Sequence, residues 1–136
     1  MNALDANYGD LPAHDGLWQA ASATADDLLA RLAVVPLVLE ARGLDVTPAM
    51  MAKLSAVGDD ESAAILGTIY DDEIGHVAVG KRWFDYLAER RGLAPLETWQ
   101  ALVRRYFKGA LKPPFNRQAR QAAGLASQFY DPVTSD

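Results

Sequence analysis

The sequence contains no cysteine among its 136 residues and only two histidines, and its 13 basic residues are outnumbered by 18 acidic ones. Lack of cysteine excludes disulfides and thiolate metal sites, and it leaves the redox compartment unmarked. The net charge of −5 works against nucleic-acid binding through bulk electrostatics. Long apolar runs are also missing. The longest, Leu32 to Leu39, is far too short to span a bilayer, so no membrane partner is expected. The N-terminus, MNALDANYGDLPAHDG, has acids where a signal peptide has basic residues, and no apolar run follows. There is no alternating strand pattern, internal repeat or low-complexity tract. A soluble cytoplasmic protein is the expectation.

Half of the residues are apolar, enough for a chain of this length to fold as one domain over 1–136. Its class reads as all-α, after an irregular lead-in over 1–20 that turns helical near Leu17. A first long helix is expected from Thr24 to Ala41, with Thr24 and Asp27 as a capping box and Leu28, Leu32, Val35 and Leu39 as its apolar face. Pro36 should kink it, and Gly43 fits a stop. Thr47-Pro48 reads as the start of a short helix ending at Gly58. A second long helix spans Asp59 to Arg91, closed by Gly92; at ~1.5 Å per residue it is about 50 Å long. Pro95 opens a helix reaching Phe107, GALKPPFN is a loop, and Asn116 caps a last helix running to Gln128.

The chemistry concentrates on the second long helix. Ile65, Ile69, Glu73, His76, Gly80, Trp83 and Leu87 recur at steps of three and four, one stripe down a helix. Apolar neighbours on both sides place Glu73 and His76 inside a core, where an unpaired carboxylate is expensive. A divalent metal is one partner that would stabilise it. Glu-x-x-His puts a carboxylate oxygen and an imidazole nitrogen one turn apart on one face, and oxygen and nitrogen donors favour iron or manganese over a structural zinc. If the two long helices pack antiparallel, Glu40 approaches the same pair. A carboxylate from one helix and Glu-x-x-His from the next is half of a di-iron ligand set. Asp72, four residues before His76, is placed to hold the imidazole by its other N–H.

Blander readings compete with these. E-x-x-H on a helix is common and usually solvated. Glu73 could instead form a buried ion pair with Arg42 or Arg31, and Glu40 could be a helix-end surface residue. His14 reads as a loop histidine with a structural hydrogen bond, and Trp83 and Phe84 as core. Arg104, Arg105, Lys108, Lys112, Arg117 and Arg120 form a basic C-terminal third, whose ordinary role is a solvated helix face.

EARGLDVTP (40–48), GDDESAAIL (58–66), DEIGHVAVGKRWF (72–84) and PPFN (113–116) together resemble the bacterial ferritin-like proteins catalogued as domain of unknown function 455. The register holds from YGDLPAHDGLW (8–18) onward. The resemblance implies a carboxylate-bridged di-metal four-helix bundle, related in fold to ferritins, rubrerythrins and a di-iron tRNA hydroxylase. It makes Glu40 the single carboxylate ligand, Glu73 the second and His76 the imidazole. Family members are about twice this length, and an earlier half supplies a first Glu and a first E-x-x-H; this chain corresponds to the C-terminal half.

Three ligands from one chain do not complete a di-metal site, and two long helices do not bury a stripe alone. A twofold homodimer answers both: it completes a ferritin-like four-helix bundle and offers four carboxylates and two imidazoles to two iron or manganese ions per dimer. The leading expectation is therefore a metal-binding protein, an oxidoreductase using dioxygen or peroxide if it is an enzyme, with substrate and catalytic residues unassigned. A metal-free half-bundle acting as a structural or interaction module is the second. A tRNA-modifying oxygenase, using the basic C-terminal residues, is the third.

Overall fold

The computed structural model describes residue 7 and residues 9–134, which among them form helices and no strand; one isolated bridge joins Leu111 to Thr134. The rest of the expected lead-in, 1–6 and 8, lies outside the described residues. Helix α1 (Gly16–Ala23) is followed by α2 (Leu28–Val34), a π-helical turn (Val35–Glu40) and α3 (Ala41–Ala56). These last three run without a break. Thr24 does not cap α2. Its hydroxyl donates back to the carbonyls of Ala20 and Ala21 at the end of α1, and Asp27 instead accepts the Leu29 N–H at 3.0 Å.

The expected interruption at Gly43 and restart at Thr47-Pro48 do not occur, because α3 passes through both. Pro48 cannot give the Leu44 carbonyl its helical N–H. Asn116 supplies that donor from its side chain at 3.2 Å, so the helix continues. Pro36 is accommodated differently, by the wider π-helical turn that begins around it. Such turns are rare and recur at functional sites.

Helix α4 (Asp60–Arg90) returns along the first helical run. Asp59 caps it by accepting the Ser62 N–H at 3.0 Å, and that bond holds the Asp59 carboxyl below its ordinary value. Gly58, at φ 82°, makes the turn between the arms. The packing is antiparallel: Gly80 faces Pro36, Gly43 faces Glu73 and Gly67 faces Met51. Helices α5 (Pro95–Tyr106), α6 (Arg117–Ala122) and α7 (Ser127–Tyr130), with the 3₁₀ turn Asp131–Val133, cover one side of this hairpin. The last helix expected to reach Gln128 is thus two, broken at Gly124, which adopts φ 78°.

The core lies between the hairpin and this C-terminal cover. Leu29, Ala33, Leu37 and Leu44 meet Val77, Phe84 and Ala88 from α4 and Trp99, Val103 and Tyr130 from the C-terminal segment. The indole N–H of Trp99 donates to the Ala33 carbonyl at 3.1 Å, which fixes α5 on α2. Arg120 is not part of a solvated face. It is 2% exposed, bound to the buried Asp45 carboxylate at 2.9 and 2.7 Å, and stacked against Phe115 and Tyr130. No helix among the described residues is long and apolar enough to cross a membrane.

Candidate metal centre

The antiparallel hairpin decides where the predicted ligands fall. Glu40 closes the π-helical turn, and the middle of α4 passes opposite it with Glu73 and His76. Gly43, one turn after Glu40, faces the Glu73 stem: a Cβ built on it would lie in ordinary van der Waals contact, 3.6 Å from Glu73 Cγ. Gly43 therefore sits inside α3 opposite Glu73 and is not a helix stop. Glu40, Gly43, Thr47, Tyr70 and Glu73, with Leu17, Leu39 and Ile69, line an open hollow of about 260 Å³.

The electrostatics of the hollow link the three residues. Burial pushes the Glu40 carboxyl above its ordinary value, the negative charge of Glu73 pushes it further, and His76 opposes both. Glu73 Oε2 and His76 Nδ1 are 3.3 Å apart, within hydrogen-bond distance. Two carboxylates and one imidazole are the donors that iron or manganese takes, and a cation would relieve the repulsion between Glu40 and Glu73. Within one chain the set is incomplete. No three acidic or histidine side chains among the described residues group closely enough to hold an ion.

Three expectations for this region need correction. Glu73 and His76 are not enclosed by a core: the Glu73 side chain is 19% exposed and that of His76 is 64% exposed. Trp83 is not core either, at 48% exposed, whereas its neighbour Phe84 is fully buried. The cause is that α4 carries two apolar rows, and the predicted stripe crosses from one to the other. Val77, Gly80, Phe84 and Ala88 face the rest of the chain, whereas Ile65, Ile69, Val79, Trp83 and Tyr86 face outward. Glu73 belongs to the inner edge and His76 to the outer face.

The third correction concerns ion pairing. Arg42 donates to Asp45 and to the Lys112 carbonyl, and Arg31 donates to the Ala21 carbonyl, so neither engages Glu73. Asp72 is exposed, and the hydrogen bond of the His76 ring goes to Glu73. His14 accepts the Gly16 N–H at 3.1 Å, the loop role expected of it.

Several residues around the hollow carry no warning in the sequence. Tyr70 accepts a hydrogen bond at 2.9 Å from the Asn116 amide, and Asn116 also holds Leu44, so the loop PPFN braces the wall beside Glu73. Only the quoted PPFN run hinted at it.

A family model described as Protein of unknown function (DUF455) matches residues 1–131. The chain belongs to this DUF455 family. A relative from Haemophilus influenzae, described as an uncharacterized protein, is 41% identical over 131 residues. The alignment covers 96% of this chain and 46% of the relative, so the chain spans about half the length of the curated protein it matches. No solved structure matches this DUF455 chain.

Proposed function

We propose that this chain is a ferritin-like metal-binding module whose site is completed when two copies pair along the outer face of α4. Glu40, Glu73 and His76 of each copy hold iron or manganese between them, two ions per dimer. The observation that carries this reading is that Glu40, Glu73 and His76 lie close enough to act on one another's charge, beside an apolar face that nothing among the described residues covers.

That outer face has a regular form. Ile65, Ile69, Asp72, His76, Val79, Trp83 and Tyr86 follow one another at alternating steps of four and three. This is the spacing of a seam between two supercoiled helices, and its apolar members are about half exposed in the single chain. Monomers seldom leave such a row uncovered. A twofold axis through the seam sets Asp72 and His76 of one copy against the same α4 face of the other, and it encloses Glu73 and His76 as their chemistry requires.

Metal ions held in this way supply the activation of dioxygen or peroxide that an oxidoreductase of this class needs. The chain contributes the rest. The two glutamates set the charge of the site, the hydrogen bond to Glu73 holds the His76 ring, and Leu39 supplies an apolar wall.

Metal analysis and light scattering test this together. Protein expressed with supplemented iron and manganese should run at the mass of two chains and carry about one metal per chain, lost in Glu73→Ala and His76→Ala. A metal-free monomer at micromolar concentration would reject the proposal and leave a structural or interaction module.

A further inference from the structure

A second cavity, of about 400 Å³, lies between the π-helical turn and the loop after α5. Its walls are mostly apolar, with Val38, Leu39, Phe107, Leu111 and Phe115 contributing. Its charged lining is of one sign: Arg42, Lys108, Lys112 and Arg120, with no acidic residue among the lining. This arrangement stands out in a chain that carries a net charge of −5.

Asp45 is the carboxylate bonded to this set, shared between Arg120 and Arg42. Four cations against one carboxylate leave an excess of three. Arg120 is 2% exposed, and its Nη1 is buried without a hydrogen-bond partner although Nε and Nη2 are satisfied. The Phe115 and Tyr130 rings contact the guanidinium but offer its in-plane N–H no strong acceptor. A buried charged donor left unpaired is costly and calls for an acceptor. Among the described residues Arg42 spends only Nη1, in bonds to Asp45 and to the carbonyls of Lys112 and Pro114.

We infer that this cavity binds a small organic carboxylate with an apolar body. The anionic end meets Arg42, Lys108 and Lys112 above the buried charge of Arg120, and the body lies against Leu39, Phe107 and Phe115. The volume falls within the range of small-molecule sites, and the combination of apolar walls with a few convergent polar groups is their usual form. Leu39 also lines the hollow that holds Glu40 and Glu73, so the ligand sits one side chain away from the candidate metal centre. The inference stands on the cavity and does not depend on metal.

Calorimetric titration of the full chain with phenylbutyrate, in the presence of EDTA, tests it. Saturable one-to-one binding at about 1 mM or tighter is expected. Phenylbutanol, which has the same body without the charge, should bind at least about tenfold more weakly. Lys108 and Lys112 are exposed, so K108A/K112A should keep its circular dichroism spectrum and lose about tenfold in affinity. Three results would overturn the inference: no saturation, equal binding of the alcohol, or an unchanged double variant. Displacement by an equal concentration of inorganic phosphate would also overturn it, because the site would then recognise a bare anion.

Discussion

The ring of Pro36 occupies the space in which Gly80 would otherwise carry a side chain. A Cβ built on Gly80 would overlap the ring, 2.6 Å from Pro36 Cγ. The π-helical turn and α4 therefore approach at a distance that only glycine permits. Gly80→Ala must push the helices apart or distort the turn, and overpacking of this kind costs about 1–3 kcal/mol. Gly75 provides the control, because its Cβ would meet nothing within 4 Å. Gly75→Ala should stabilise by up to about 1 kcal/mol through helix propensity. Urea titration of both variants should move their midpoints in opposite directions, and a Gly80→Ala midpoint equal to that of the native chain would contradict the contact.

Asp45 and Arg120 form the most deeply buried ion pair among the described residues, with side chains 0% and 2% exposed. Asp45 also accepts the Asn116 N–H at 2.9 Å, which anchors the loop that braces α3. Asp45→Ala leaves the Arg120 guanidinium buried without its counter-charge, a change that costs about 3–5 kcal/mol. Against a total stability of about 5–15 kcal/mol this is severe. Thermal unfolding followed by circular dichroism should show a large drop for Asp45→Ala, and a small one would mean that the pair contributes little.

The hairpin was readable because its punctuation is local. The expected α4, Asp59 to Arg91, differs from Asp60–Arg90 by one residue at each end, since Asp59, Gly58 and Gly92 act through their own backbone. The break expected at Thr47-Pro48 fails for the opposite reason. Its cure comes from Asn116, 72 residues beyond Leu44, and no local pattern shows that. The same holds for Arg120, which looked like one of several surface cations until Asp45 of another helix neutralised it. For the candidate site, spacing puts Glu73 and His76 on one stripe, and Glu40 was expected near them only if the two long helices pack antiparallel, as they do. Spacing does not separate the inner row of α4 from the outer one, because both rows are apolar and only tertiary packing, against the first helical run and the C-terminal segment, decides which is covered.

The pH response of Glu40 is the next prediction. Burial, reinforced by Glu73, raises its carboxyl above the ordinary value of 4.5. The fold then holds this proton more tightly than the unfolded chain does, so the contribution of Glu40 is most favourable below 4.5 and is lost as pH rises through the folded value. Glu40→Gln, uncharged throughout, removes that slope. In metal-free protein the variant should unfold at the same temperature as the native chain or higher at neutral pH, with a flatter profile above the ordinary carboxylate range. Parallel profiles for the two proteins would show that Glu40 titrates as an ordinary surface group.

The outer seam of α4 yields the most direct test of assembly. Ile69 and Trp83 are 50% and 48% exposed, so Ile69→Lys and Trp83→Glu should leave the fold of the single chain within about 0.5 kcal/mol. At the centre of a pairing interface the same changes remove apolar anchors and introduce buried charge, each costing about 2 kcal/mol or more, roughly a 30-fold loss of affinity. Light scattering should therefore show the mass falling from two chains to one, while the helical spectrum persists. Val57→Lys controls for charge alone, since Val57 is 79% exposed at the hairpin turn, away from the seam. Metal content of Trp83→Glu, which lies outside the hollow that Ile69 helps to line, adds a second readout, because a site completed across the seam must lose its ions when the copies separate, even though Glu40, Glu73 and His76 are intact. Dissociation with metal retained would place the site within one chain, and an unchanged mass would remove the seam from the assembly.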